Sequence, residues 1–123
     1  MAFKYAIKDP HDIYFITTSI VKWINIFTRS CYQEIVIDAL NYCSKTKGLQ
    51  IYAWCLMPSH LHMLVNTEPG FNLSDVIRDF KKFTSKEIVA AIENNKQESR
   101  KNWILWIFKK AGEKNCRNKE YQF

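Results

Sequence analysis

The sequence contains few residues that interrupt regular structure, and it has no long apolar run. Its 123 residues include three glycines, three prolines and no repeated or low-complexity segment, so no internal linker is visible and we predict a single domain over residues 1–123. No stretch approaches the roughly 18 consecutive apolar residues that a membrane span needs, and the N-terminal residues lack the apolar segment of a secretory signal. We therefore expect a cytoplasmic protein with no membrane partner.

Cysteine pairs at metal-binding or redox spacing are also absent. The four cysteines are widely separated and none belongs to a CxxC pair, so the pattern favours reduced thiols over disulfides or a zinc site. We expect small, semi-buried side chains at all four positions: Cys31, Cys43, Cys55 and Cys116.

The net charge of +6 is concentrated in one part of the chain. Residues 96–119 contain eight basic and two acidic side chains, which accounts for the whole excess. A localised basic surface indicates a polyanionic partner, of which nucleic acid is the commonest in the cytoplasm. A lysine-rich surface that only confers solubility is the alternative.

The first half of the chain predicts a strand, a helix and a hairpin. Residues 13–21 are rich in β-branched and aromatic side chains, as in a strand. Residues 29–47 have helical apolar spacing, and Gly48 can end that helix. Residues 49–57 and 60–66 alternate in character and are joined by a tight turn, which predicts two antiparallel strands.

The second half predicts two helices. Asn72 is a plausible N-cap for a helix over residues 73–93, and the polar residues 93–102 predict a loop. Residues 103–112 are ambiguous between helix and strand, and we favour a helix; residues 119–123 could begin a further strand. This order predicts an α+β protein of the ferredoxin-like (split βαβ) class, with an antiparallel sheet and helices on one face.

Two of the three histidines, His60 and His62, lie two residues apart in the last predicted strand. Side chains alternate along a strand, so both imidazoles project from the same face. Three interpretations remain: exposed or backbone-bonded rings; a zinc site, for which further ligands at a suitable spacing are missing; or a labile Mg²⁺ or Mn²⁺ site for phosphate chemistry. The last agrees best with the basic excess.

The segment YAWCLMPSHLHMLV resembles the HUH signature (histidine, hydrophobic residue, histidine) of single-tyrosine transposases, in the form found in the REP-associated tyrosine transposase branch. The following NLSDVIRDFKKFTSKEI is similar to the helix that follows the motif in that branch. The first strand and the last 21 residues also fit the branch, so the resemblance covers nearly the whole chain.

The resemblance implies a DNA transposition function on a ferredoxin-like nuclease domain. It implies that His60 and His62 hold Mg²⁺ or Mn²⁺ and that a tyrosine hydroxyl attacks a phosphodiester of single-stranded or hairpin DNA. The products would be a 5′-phosphotyrosyl enzyme and a free 3′-hydroxyl. The alternative is a non-catalytic nucleic-acid-binding protein derived from a transposase.

The family places its nucleophilic tyrosine on a helix well after the histidines, and no such segment is recognisable here. Tyr121 alone follows the motif, and it is only a fallback candidate for the nucleophile. We therefore expect a domain that lacks the catalytic-tyrosine helix, so that its strand cleavage is incomplete and its status as an enzyme is open. A sheet without its final strand exposes an edge that favours a homodimer.

Basic and hydroxyl side chains of the last two helices are the predicted DNA contacts, with an ordinary solvated helix face as the alternative. Four aromatic residues, Tyr52, Trp54, Trp103 and Trp106, could stack on bases, but we expect them to pack in the core. The predicted DNA-binding residues are Arg78, Lys81, Lys82, Thr84, Ser85, Lys86, Lys109 and Lys110.

Overall fold

The computed structural model describes residues 12–20, 22 and 24–113. The strand suggested at 119–123, Cys116 and Tyr121 lie outside these ranges. The elements agree with the predicted order, and their ends fall within about two residues of the predicted ones. They are β1 (Tyr14–Ser19), α1 (Ser30–Thr46), β2 (Leu49–Leu56), β3 (His60–Thr67), α2 (Leu73–Asn94) and α3 (Lys101–Glu113).

The three strands form one antiparallel sheet in the order β1-β3-β2. Strand β3 lies in the middle and pairs antiparallel with both neighbours, so β1 and β2 run parallel on either side of it. This is a split βαβ arrangement, with α1 as the connection between the two outer strands. The predicted α+β fold is confirmed.

Alternation along β3 separates the two faces of the sheet. Leu61, Met63 and Val65 are at most 1% exposed and belong to the core, whereas His60 and His62 project from the other face and are partly exposed. Each buried apolar side chain of this size contributes about 1.5–3 kcal/mol. The core also contains buried residues of all three helices, so the helices lie on the face opposite the histidines.

Helix α2 owes its position to a stripe of buried residues at three- and four-residue steps, including Leu73, Val76 and Phe80. Its start is fixed as predicted, because the Asn72 side chain accepts a hydrogen bond of 3.2 Å from the backbone N–H of Asp75. The amphipathic helix therefore begins where the sequence places it and packs over the sheet.

The segment between α2 and α3, predicted as a solvated loop, contains a buried carboxylate. The Glu98 side chain lies 2.8 Å from Arg29 Nε and 3.2 Å from Arg100 Nε, and it accepts a hydrogen bond of 3.1 Å from the hydroxyl of Tyr32. Burial alone would raise the pKa of Glu98, but the hydrogen bonds from Arg100 and Tyr32 outweigh burial and hold the pKa below its usual value. The network ties the start of α1 to the start of α3.

The prediction that Tyr52, Trp54, Trp103 and Trp106 pack in the core is wrong, because all four side chains are exposed. Among the described strands, β2 lies at an edge of the sheet, and the inner side of α3 is occupied by Ile104 and Phe108.

The expectation of semi-buried cysteines holds only in part. Within the described ranges, Cys31, Cys43 and Cys55 all have free thiols, but only Cys43 is buried, whereas Cys31 and Cys55 are exposed.

Candidate metal and DNA-binding site

The side of the sheet that faces away from the helices carries both histidines, and we call it the histidine face. Strand pairing places Thr17 of β1 and Cys55 of β2 on either side of His62, and Ser19 beside His60. Residues of all three strands therefore surround the two imidazoles. The histidine face consists of Phe15, Thr17, Ser19, Cys55, His60, His62 and Leu64.

The two imidazole rings contact each other. Their centroids are 4.6 Å apart and their planes are nearly perpendicular, at 80°. This agrees with the alternation argument, which requires side chains two residues apart to share a face. The two imidazoles therefore lie side by side on this face.

Hydroxyl groups orient both rings. A hydrogen bond of 2.9 Å joins Thr17 Oγ1 to His62 Nδ1, and one of 3.2 Å joins Ser59 Oγ to His60 Nδ1. The ring of Phe15 stacks on His62 with a centroid distance of 5.5 Å. In the tautomer protonated at Nδ1, each ring donates to its hydroxyl and presents the Nε2 lone pair, which is how metal-binding histidines are commonly held.

The surroundings of His60 favour its neutral form. Burial and the positive charge of His62 both lower the pKa of His60 from its usual value. A metal ion binds the neutral imidazole and competes with a proton for it. Both effects therefore make His60 more readily available to a metal ion.

The described ranges contain no cluster of three or more His, Cys, Asp or Glu side chains that could hold a metal ion. Cys55 lies opposite His62 in the strand register, and its thiol donates a hydrogen bond of 3.6 Å to Met57 Sδ. The histidines fit a divalent ion as two of its ligands. The others would be water, DNA oxygens or residues outside the described ranges.

Four tyrosines lie in the described ranges, and they occupy different surroundings. Tyr32 is buried against Glu98, and Tyr42 lies on the helix side of the domain, in a cleft between α1 and α2. Tyr14 pairs with buried Val65 in the register. Tyr52 reaches the histidine side of the sheet, where its hydroxyl is 3.2 Å from Asn66 Oδ1.

The predicted DNA-binding residues of α2 are not on the histidine face. Lys82 and Lys86 are exposed and line a cleft of about 330 Å³ between α1 and α2, on the helix side of the domain. Arg78 is paired at 3.3 Å with Asp75 and with Asp79. The structure therefore separates these basic groups from the imidazoles by the thickness of the domain.

The remaining predicted contacts on α2 are less accessible. Thr84 is fully buried, and its hydroxyl donates to the carbonyl oxygen of Phe80 at 2.8 Å, so it has no surface to offer DNA in this conformation. The hydroxyl of Ser85 donates to the carbonyl of Lys82 at 3.0 Å. Partial burial lowers the pKa of Lys81.

Helix α3 carries the other two predicted DNA-binding lysines, Lys109 and Lys110, and both are exposed.

The sequence did not reveal the three residues that position the histidine rings, Thr17, Ser59 and Phe15. The Thr17–His62 contact joins residues 45 positions apart, and its only sequence signal was a β-branched strand of unknown register.

No helix in the described ranges has the length and apolar character of a bilayer-spanning segment.

Comparison with solved structures finds similar folds. A protein from Deinococcus radiodurans that is described as a transposase superimposes with a TM-score of 0.56. The match covers 72% of this chain and 68% of that chain, at 15% sequence identity. A REP-associated tyrosine transposase, solved bound to a REP hairpin, gives 0.59 over 94% of this chain and 75% of that chain, also at 15% identity.

Sequence comparison shows the family. No curated protein gives a significant match to the chain. The family profile described as "Transposase IS200 like" matches residues 14–109, which include every described strand and both histidines. The chain therefore belongs to the IS200-like transposase family, whose function is DNA transposition.

Proposed function

We propose that the protein binds single-stranded or hairpin DNA and that His60 and His62 hold Mg²⁺ or Mn²⁺ for cleavage and rejoining of a DNA strand. The observation that carries this proposal is the pair of hydroxyl-oriented imidazoles in contact on the sheet face opposite the described helices. A divalent ion bound there would supply charge to polarise a phosphoryl oxygen.

The protein's own residues position the reacting groups in this proposal. The Thr17 hydroxyl is hydrogen-bonded to Nδ1 of His62, and the Ser59 hydroxyl is hydrogen-bonded to Nδ1 of His60. Each hydrogen bond fixes the orientation of its ring. The lowered pKa of His60 keeps that ring neutral. A tyrosine hydroxyl attacks the phosphodiester and loses its proton to solvent as a 5′-phosphotyrosyl bond forms. The bond to the 3′-oxygen breaks, and that oxygen takes a proton from solvent to become a 3′-hydroxyl.

The nucleophile is proposed to come from outside the described ranges. Tyr32 is buried, and Tyr42 lies on the helix side, so neither faces the histidines. Tyr52 is on the correct side but is hydrogen-bonded to Asn66. Tyr121 remains the fallback candidate for the nucleophile.

A second copy of the chain, paired along a sheet edge, is a further proposed partner.

A covalent-adduct assay tests the catalytic proposal. The full chain is incubated with Mn²⁺ and a labelled single-stranded hairpin oligonucleotide, and adducts that survive denaturation are separated by electrophoresis. Strand cleavage predicts an adduct that disappears with chelator and in His60→Ala and His62→Ala, while DNA binding through phosphate contacts persists. Tyr121→Phe and Tyr52→Phe identify which hydroxyl, if either, is attached.

The alternative is a non-catalytic nucleic-acid-binding protein derived from a transposase. It predicts salt-dependent DNA binding by the wild-type chain with no adduct under any metal condition. An adduct formed equally by the His60→Ala/His62→Ala double variant would contradict the role of the histidines. Absence of DNA binding by the wild-type chain would contradict both proposals.

A further inference from the structure

The outward side of α3 combines two tryptophans with lysines. Asn102, Trp103, Trp106, Lys109 and Lys110 are all exposed, and in an α-helix these positions fall within an arc of about 120°. We call these five residues the tryptophan stripe. Trp103 and Trp106 are 53% and 58% exposed, although indole rings are usually largely buried.

From this arrangement we propose that the tryptophan stripe is a base-stacking surface for single-stranded DNA, separate from the histidine face. The inference rests on the proposed DNA-binding function and adds a second contact surface to it. Helix α3 contacts α2, and α2 lies on the opposite side of the sheet from the histidines. A strand bound at the stripe is therefore held away from the imidazoles.

The spacing of the two indoles suits neighbouring bases. Three residues of helix advance about 4.5 Å along the axis, which is comparable to the 3.4 Å rise per nucleotide of a stacked strand. Tryptophan offers a large flat surface to any base, because every base has a π-face, so the contact does not depend on sequence.

The charge of the stripe indicates an anionic occupant. Lys110 Nζ lies 5.9 Å from the centre of the Trp106 ring, so an ammonium group is held beside the indole, and Lys109 is exposed on the same side. A phosphate backbone is complementary in charge to exposed Lys109.

Oligonucleotide binding by the full chain tests the proposal. Binding of a fluorescent oligothymidine is measured by anisotropy over a series of salt concentrations for the wild type and for Trp103→Ala/Trp106→Ala. Each lost stacking contact is expected to weaken binding by about five- to 150-fold. Trp54→Ala is the matched control, because Trp54 is similarly exposed on the edge strand β2, and its affinity should stay within about twofold.

The salt series separates stacking from charge. Trp103→Ala/Trp106→Ala should leave the dependence of log K on log[salt] unchanged, whereas Lys109→Gln/Lys110→Gln should reduce its slope by about 0.7 per lost phosphate contact on a single strand. Trp103→Phe/Trp106→Phe should recover part of the affinity. Circular dichroism and thermal unfolding check that each variant is folded.

Several outcomes overturn the inference. If the wild type binds and the tryptophan double variant binds equally, the stripe is not a DNA contact, while the proposed function at the histidine face stands. If the wild type binds no oligonucleotide, both fail. A double variant that changes the sedimentation of the DNA-free protein, or that loses binding to anionic vesicles and not to DNA, would assign the stripe to self-association or to a membrane surface.

Discussion

Replacing Glu98 by glutamine should destabilise the fold, although the side chain keeps its size. The amide retains one acceptor and places an N–H₂ donor where the second oxygen accepts from Arg29 or Arg100, so at least one hydrogen bond to a charged group is lost. Such a bond contributes about 1.5–3 kcal/mol. The two arginine side chains are 41% and 32% exposed and can be hydrated, so we expect the loss to stay near 2–3 kcal/mol.

The cost of Glu98→Gln should depend on pH. Because the folded state lowers the pKa of Glu98, the carboxylate stabilises the fold fully at pH values above its unfolded pKa, near 4.5. This contribution is lost as the pH falls below that value and through the lower folded pKa. The difference in unfolding free energy between wild type and variant should therefore be largest at neutral pH and shrink on acidification.

Urea titrations at pH 7 and at a series of acidic pH values measure this difference, and a midpoint fall of about 8–12 °C is expected in thermal unfolding at pH 7. Glu87→Gln is the matched control, because Glu87 is exposed on α2 and should change the free energy by less than about 0.5 kcal/mol. A Glu98→Gln variant as stable as this control, or a difference that grows at low pH, would refute the argument.

Two further predictions concern the orientation of His62 and the backbone at two glycines. Thr17→Val removes the 2.9 Å hydrogen bond to His62 and should weaken Mn²⁺ binding about 10–100-fold in calorimetry, with Thr17→Ser retaining most of it; equal affinity for all three proteins would contradict the role of the hydroxyl. Gly48→Ala should cost more in thermal unfolding than Gly70→Ala: both glycines have positive φ (68° and 93°), but an added Cβ meets the Phe71 ring at Gly48 and nothing within 4 Å at Gly70. Equal losses would show that the ring moves away at little cost.

Local patterns were sufficient for the elements that position the histidines. The alternation of β3 predicts which side chains of that strand are buried, and the three- and four-residue spacing of α2, with Asn72 at its start, predicts that helix. These signals depend on near neighbours along the chain, which the sequence displays directly.

The features that could not be predicted depend on distant pairs. The Tyr32–Glu98 hydrogen bond spans 66 positions, so nothing near Glu98 marks it as a buried residue among lysines. The exposure of Trp103 and Trp106 was missed because large aromatic side chains are usually buried, and the sequence does not show whether another element covers the outer side of a helix. Which side chains a helix face contacts depends on how the helices and strands pack together, and only the three-dimensional structure shows that packing.

The central position of β3 has a consequence for how the histidine pair is assembled during folding. The hairpin of β2 and β3 can form from residues close in sequence, and it contains both imidazoles. Thr17 arrives only when β1 closes against the far side of β3, across a loop that makes this pairing slow relative to the hairpin. The hairpin alone would thus contain both rings, with the Ser59 hydroxyl beside His60 but without the hydroxyl that orients His62. The complete pair of oriented rings would appear only with the last strand pairing.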